Sequence, residues 1–424
     1  MITLSKLDNY LPRLLLVSEV SLSQEGTGIN RTLVNLLEDY PIDHFMLYTS
    51  DQSLQEQQTA PRFQKNVTNF PARFFPYLQN RLGAWLNPIL EKCNYQLLDW
   101  LSLANSQQIA DFSPEVILIC PNTPLGLLMG YKVTQDFDVP FLIYFMDDWV
   151  AQDNTSWVTG NVQLACSSIL KKAAGWLMIS QQLEKDLAQR YNVSPKRSLI
   201  VHNPVDLSNK TFPNFPSETG KTFKVVYAGS IWPMHHDAIA VIAQAIYELR
   251  HDGIDIELVL HTGLNYWQAY KENWEAWEVN YGSLIPYQEL NQYLQRANLL
   301  LVASSFLPEY AHVTRSSVQT KITDYMAAGR PIISCGPSYA ANNIFIKQWN
   351  CGFVCETNTI PEVKQILLTQ MIRKSLGETV AKIAFDVLKN HFDKSKVNSK
   401  LYQFIANTRV ANVNTILGFS NKRW

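Results

Sequence analysis

The chain has 424 residues, 17% charged and 46% hydrophobic, with 36 basic against 37 acidic side chains and a formal net charge of -1. That length exceeds one ordinary core and predicts two or three domains, and the composition excludes a disordered polymer. Near-balanced charge excludes nucleic-acid binding driven by bulk electrostatics, so no nucleic-acid partner is expected. Six cysteines, at 93, 120, 166, 335, 351 and 355, show no paired zinc spacing and read as free thiols of a reducing compartment. The first apolar run, Leu14 to Val17, is too short for a signal-peptide core, and no later run could span a bilayer. A cytoplasmic protein is therefore expected.

In chain order, Arg13 to Ser18 reads as a buried parallel strand. A glycine-rich turn with Gly26, Thr27 and Gly28 follows, then an apolar-periodic helix from Ile29 to about Glu38. Such a turn lets backbone approach a ligand closely, although a plain connection has the same pattern. His44 to Thr49 is the second strand. Over residues 61–85 the basic residues Arg62, Lys65, Arg73 and Arg81 alternate with Phe63, Phe70, Phe74, Phe75, Tyr77 and Trp85. This is either a solvated edge over a buried aromatic face or a peripheral contact with the inner face of a membrane. A long helix from about Gln79 to Ile109 comes next.

Val116 to Cys120, Phe141 to Met146, Gly175 to Ile179 and Leu199 to His202 are further strands separated by helices. Repeated strand–helix units predict a parallel doubly wound sheet, whose ligands bind beyond the carboxyl ends of the strands. Asp147 and Asp148 stand at such an end, where carboxylates can hold sugar hydroxyls or cap the next segment. Two carboxylates are too few for a metal site, and none is predicted. The Pro-, Ser- and Asn-rich stretch from Leu207 to Lys221 reads as a linker.

Phe223 to Gly229 opens a second doubly wound unit, continuing through Ser230-Ile-Trp-Pro-Met-His-His-Asp237 into a helix from Ala238 to about Arg250. Ile256 to His261 and Asn298 to Ala303 are strands, with a short strand and turn over Val279–Tyr287 and a helix from Gln288 to Arg296. Gln319 to Ser334 then reads as a helix entry, a short amphipathic helix, a stop and a buried strand. Thr320 is expected to cap the helix, Gly329 to end it, and Pro331 to forbid its continuation. Free first-turn N–H groups, a hydroxyl and the Lys321 ammonium form a seat for phosphate. Asp324 lies one turn on, placed to accept bonds from ribose hydroxyls. An ordinary capped helix with a solvated Lys and Asp has the same pattern. Helices from about Ile360 to His391 and Lys396 to Ala406, then a polar tail, finish the chain.

The run Thr320-Lys321-x-x-Asp324-Tyr-Met-Ala-Ala-Gly-Arg-Pro-Ile-Ile333 resembles the donor-binding segment of the retaining, glycogen-synthase-like glycosyltransferases known as family 4 or group 1. Val201-His-Asn-Pro-Val-Asp206 resembles the segment that closes their first lobe. The resemblance implies the GT-B fold: α/β, with two Rossmann-like doubly wound parallel-sheet domains facing an interdomain cleft. It divides the chain into residues 1–207 (acceptor side), 208–385 (nucleotide-sugar binding) and 386–424 (terminal helices packing back on the first domain).

By the same resemblance, Gly26, Thr27, Gly28, Ser230, His235, Ser283, Ile285, Arg315, Ser316, Thr320, Lys321 and Asp324 meet the donor, the backbone from Ser283 to Pro286 taking the base. Lys321, Asp147, Asp148 and Glu309 are the catalytic candidates. Relatives carry an Arg after the glycine at 229, a Lys five residues later and a Glu at 316, where this chain has Ser230, His235 and Ser316. A clamp through His235 or His236 would respond to pH.

The implied activity moves a sugar from a UDP- or GDP-linked donor to a hydroxyl of a glycan or lipid-linked acceptor, with retention, in polysaccharide synthesis. No cofactor beyond the donor is expected. The departures leave two alternatives: a weakened GT-B nucleotide-binding or scaffold protein, and a sugar-nucleotide epimerase.

Overall fold

The computed structural model describes residues 10–20, 22–23, 28–50, 63, 67–69, 86, 89–90, 93, 103, 105–151, 160–208, 210–215 and 222–420. Gly26, Thr27, nearly all of 61–85 and most of the helix expected over Gln79–Ile109 lie outside them. The chain forms two compact units: Met1–Val201 with Asn398–Trp424, and His202–Val397.

The first unit runs β1 (Leu14–Val17), α1 (Gly28–Leu37), β2 (Phe45–Thr49), β3 (Val67–Asn69), α2 (Ser106–Phe112), β4 (Val116–Ile119), α3 (Pro124–Asp136), β5 (Phe141–Phe145), α4 (Gly160–Lys172), β6 (Gly175–Met178), α5 (Gln181–Tyr191) and β7 (Ser198–Ile200). Its strands make one sheet in the order β3-β2-β1-β4-β5-β6-β7, parallel throughout, with Val17 opposite both Tyr48 and Ile119. Strands β1, β4 and β5 are unbroken apolar runs because both of their faces are buried.

The second unit runs β8 (Phe223–Ala228), α6 (Pro233–His251), β9 (Ile256–His261), α7 (Leu264–Gln268), α8 (Lys271–Ala276), β10 (Asn280–Tyr281), α9 (Tyr287–Leu294), β11 (Leu299–Ala303), α10 (Ala311–Ser316), α11 (Lys321–Ala328), β12 (Ile332–Cys335), α12 (Ala341–Trp349), β13 (Phe353–Cys355), α13 (Ile360–Ile372) and α14 (Lys374–Val387). The sheet order is β10-β9-β8-β11-β12-β13, again parallel. Strand order reverses direction between β8 and β11, so a ligand crevice belongs beyond their carboxyl ends.

The helix expected from Ile360 to His391 is broken. Arg373 leaves helical geometry at φ -92°, ψ 50°, and a wide turn over Leu388–Phe392 turns both of those side chains into the core. In place of the tail expected after Ala406, a last helix, α15, runs Lys394–Ser420. Within the first unit it is fastened by Asn398, which donates to the Asn35 carbonyl at 3.0 Å. Tyr402 packs edge-on to Tyr40 at 5.2 Å, and Arg409 pairs with Glu115 at 3.0 Å. The middle of the linker stretch is packed: Phe212 and Pro213 lie against Gly329, and Arg330 donates to the Asn214 carbonyl and covers the Phe215 ring.

Candidate active site

The crevice of the second unit is built where β8 and β11 part. These strands pair only through Val225 and Val226, so the backbone of Ala228 has no ladder partner on that side. Tyr325, one turn into α11 and fully buried, takes over: its hydroxyl accepts from the Ala228 N–H at 2.8 Å and donates to the Ala228 carbonyl at 3.3 Å. The helix start is thereby fixed against the end of β8. Beyond Ala228 the chain turns at Gly229, whose φ of +133° is a conformation L side chains rarely adopt.

Lys321 lies across this turn. Its ammonium is buried, 3.6 Å from the centroid of the Tyr227 ring. A Cβ on Gly229 would stand 3.0 Å from Nζ, so only glycine leaves the ammonium its place. Ser230 and His235 join the same cluster. The Ser230 carbonyl accepts from the Tyr227 hydroxyl at 2.7 Å and faces His235 Nδ1 at 3.3 Å. A carbonyl can only accept, so Nδ1 carries the imidazole proton.

Burial, with the Lys321 charge beside it, pushes the His235 pKa down to about 3. The imidazole is therefore neutral at ordinary pH and replaces the titrating clamp expected there. His236 stacks on Tyr270 with centroids 3.8 Å apart, and burial lowers its pKa as well.

A peptide is planar, so with the Ser230 carbonyl turned toward Tyr227 the Ile231 N–H points the opposite way. Among the described residues neither the Ser230 nor the Ile231 N–H has a protein acceptor. Two such donors at a strand–turn–helix junction, with an ammonium across the turn, have the chemistry that an anion seat requires.

Thr320 does not cap α11. It already has helical geometry (φ -60°, ψ -25°) and makes no capping bond, because the entry is held one residue earlier. There Asn342, 1% exposed, accepts from the Gln319 N–H at 2.9 Å and donates to Ser304 Oγ at 2.8 Å. Gly329 does end the helix, with φ +61°. Asp324 is 8% exposed and stands 3.4 Å from the Tyr287 hydroxyl. Ser283 adopts φ +56°, and its loop is gripped by His261, whose Nδ1 meets the carbonyls of Gly282 at 2.7 Å and Ser283 at 3.2 Å. Ile285 is half-buried in that loop. Ser316 is buried and donates to the His312 carbonyl; Glu309 and Arg315 are exposed.

In the first unit the two adjacent carboxylates part company. Asp148 is buried in a two-pronged pair with Arg190, at 2.8 and 2.6 Å, which is a structural use. Asp147 is left at the strand end, its pKa raised to about 7 by burial and by the charge of Asp148. Glu19, beyond β1, is a carboxylate the sequence reading passed over. It accepts from the Asn122 N–H at 2.7 Å ahead of α3, burial raises its pKa to about 7, and Gly126 supplies the space it fills. Gly28 opens α1, its carbonyl accepting from Thr32 Oγ1 at 2.8 Å. Among the described residues no His, Cys, Asp and Glu cluster could hold a metal ion, and no helix is long and apolar enough to cross a membrane.

Residues 222–369, the stretch that carries the anion seat, match the family of glycosyl transferases group 1. This stretch is a group 1 glycosyltransferase domain. None of the curated protein sequences matches the chain. Among solved structures, HepE from Anabaena, in complex with UDP and glucose, superposes with a TM-score of 0.64 at 16% identity, over 93% of this chain and 99% of HepE. Sucrose-phosphate synthase from Thermosynechococcus elongatus gives a TM-score of 0.68 at 12% identity, covering 94% of this chain and 100% of the other. WaaG, a glycosyltransferase involved in lipopolysaccharide biosynthesis, gives 0.61 at 13% identity, over 92% and 98%. Beside the group 1 domain, these superpositions establish the two parallel-sheet units as the GT-B fold.

Proposed function

We propose that this GT-B glycosyltransferase moves a hexose from a UDP-sugar to a hydroxyl of a glycan or lipid-linked acceptor, with retention of anomeric configuration. The observation that carries the reading is the Lys321 ammonium set against the Gly229 turn, next to the Ser230–Ile231 peptide, inside the group 1 domain. UDP is chosen as the nucleotide because HepE is seen with UDP and with UDP-glucose. Asp324 accepts the ribose hydroxyls, and the loop at Ser283 and Ile285 receives the base. Lys321 and the two N–H groups stabilise charge as it grows on the departing diphosphate, the step at which fixed donors act most strongly. The acceptor hydroxyl attacks on the face being vacated, and its proton passes to the leaving phosphate. Asp147 holds a sugar hydroxyl. These side chains and backbone donors supply the neutralising charge, so no cofactor is assigned.

The test is a panel of UDP- and GDP-sugars, scored for nucleotide release and for the anomer formed. Lys321→Ala should lower turnover by about 10²–10³, the usual loss for a transition-state donor; unchanged turnover would remove the mechanism. A second reading, nucleotide binding without turnover, is favoured by the burial of that ammonium. UDP binding with no product from any sugar donor would select it.

A further inference from the structure

We infer that Tyr227 is the positioning residue of the diphosphate seat: its ring holds the Lys321 ammonium and its hydroxyl orients the Ser230–Ile231 peptide. This rests on the donor reading above. Tyr227 is the fifth residue of β8 and completely buried, where sequence alone gives it no task beyond filling the core. Two separate contacts give it more.

The first is the ring. Its face lies 3.6 Å from Nζ, a separation at which the negative face of an aromatic ring attracts a cation, most strongly away from water. Without that face the ammonium loses this attraction and turns toward solvent. A lysine side chain has four rotatable bonds to do so.

The second is the hydroxyl. It donates to the Ser230 carbonyl at 2.7 Å and lies 3.4 Å from His235 Nδ1. Two donors therefore converge on one carbonyl, and the N–H on the far side of that peptide is turned away from both. His235 serves the seat as a second peg for the turn, and as a neutral one. One buried tyrosine thus sets both the cation and the backbone donor that the leaving group would meet.

The experiment separates the two contacts by calorimetry with UDP on the full chain. Tyr227→Phe keeps the ring and loses the peg; Tyr227→Met, of similar volume, loses both. With Lys321 present, Tyr227→Met should bind UDP about tenfold more weakly than Tyr227→Phe, a loss typical of a removed cation–ring contact in a dry site. With Lys321→Met in the background, the two variants should bind UDP equally, because a double-mutant cycle reports only the pairwise contact. Equal binding of Phe and Met variants when Lys321 is present would overturn the assignment, as would an equal loss in both backgrounds.

If Tyr227→Met does not fold, NMR on the unaltered chain reads the same contact. The ε-methylene protons of Lys321, assigned through Lys321→Arg, should be shifted upfield of the other lysines by the ring. Unshifted protons would reject the contact. Failure of the unaltered chain to bind either UDP or GDP would instead defeat the donor reading on which this one rests.

Discussion

Replacing Gly229 by alanine tests whether the turn and the ammonium are one device. The new Cβ would sit 3.0 Å from Lys321 Nζ and 3.3 Å from Cε, on a backbone at φ +133°. Backbone strain of this kind costs on the order of 1–3 kcal/mol. The steric part is cheap, since the atoms met are the far end of a flexible side chain, which moves aside. Stability should therefore fall by the strain alone. Turnover should fall further, because a charged group displaced by about 1 Å from its productive place costs on the order of 10²-fold. The assay pairs thermal unfolding with UDP release from a UDP-sugar. A variant that loses stability but turns over within about twofold of the parent would refute the idea that the ammonium must sit at this turn.

Two further tests concern the carboxylates and pH. Asp148→Ala should cost about 3 kcal/mol or more by stranding Arg190 beside a buried site while leaving turnover per folded molecule intact. Asp147→Asn should do the reverse, and the opposite pattern in unfolding and activity measurements would reassign the pair. In the second unit, His202 and His235 are held at about 4 and about 3. The unfolded chain binds protons there that the folded chain refuses, and that unit should lose stability as pH falls below about 6.5. In the first unit, Glu19 and Asp147 are raised to about 7. Their contribution is fully present below their unfolded values and is lost as pH rises through about 7. Calorimetric scans between pH 5 and about 8 should show two transitions moving in opposite directions; parallel movement would contradict both assignments.

Much of the architecture was legible because strands buried on both faces are unbroken apolar runs. Leu14–Val17, Phe141–Phe145 and Leu299–Ala303 need no context to be read. The chemistry was legible only by residue type. Lys321 and Asp324 stand out by type as candidates, but the side chains packed around them do not. Tyr227 and Tyr325 look like core aromatics until the parting of β8 from β11 gives their hydroxyls backbone partners. Thr320 was expected to cap because its type suits a cap, yet Asn342, 22 residues later, holds the entry first. Asp147 and Asp148 are indistinguishable in sequence; Arg190, 42 residues on, separates them. His235 read as a titrating cation because nothing local announces the burial, and beside it the ammonium, that suppress its charge.

The path of the backbone dictates an order of assembly on the ribosome. Residues His202–Val397 are contiguous and can acquire their native contacts as soon as they emerge. The unit begun first must wait until the last segment is synthesised, since Asn398, Tyr402 and Arg409 contribute to its packing. A stop codon near position 397 would spare the later-encoded unit and leave the earlier one exposing the groove that α15 fills, a natural substrate for chaperones and proteases.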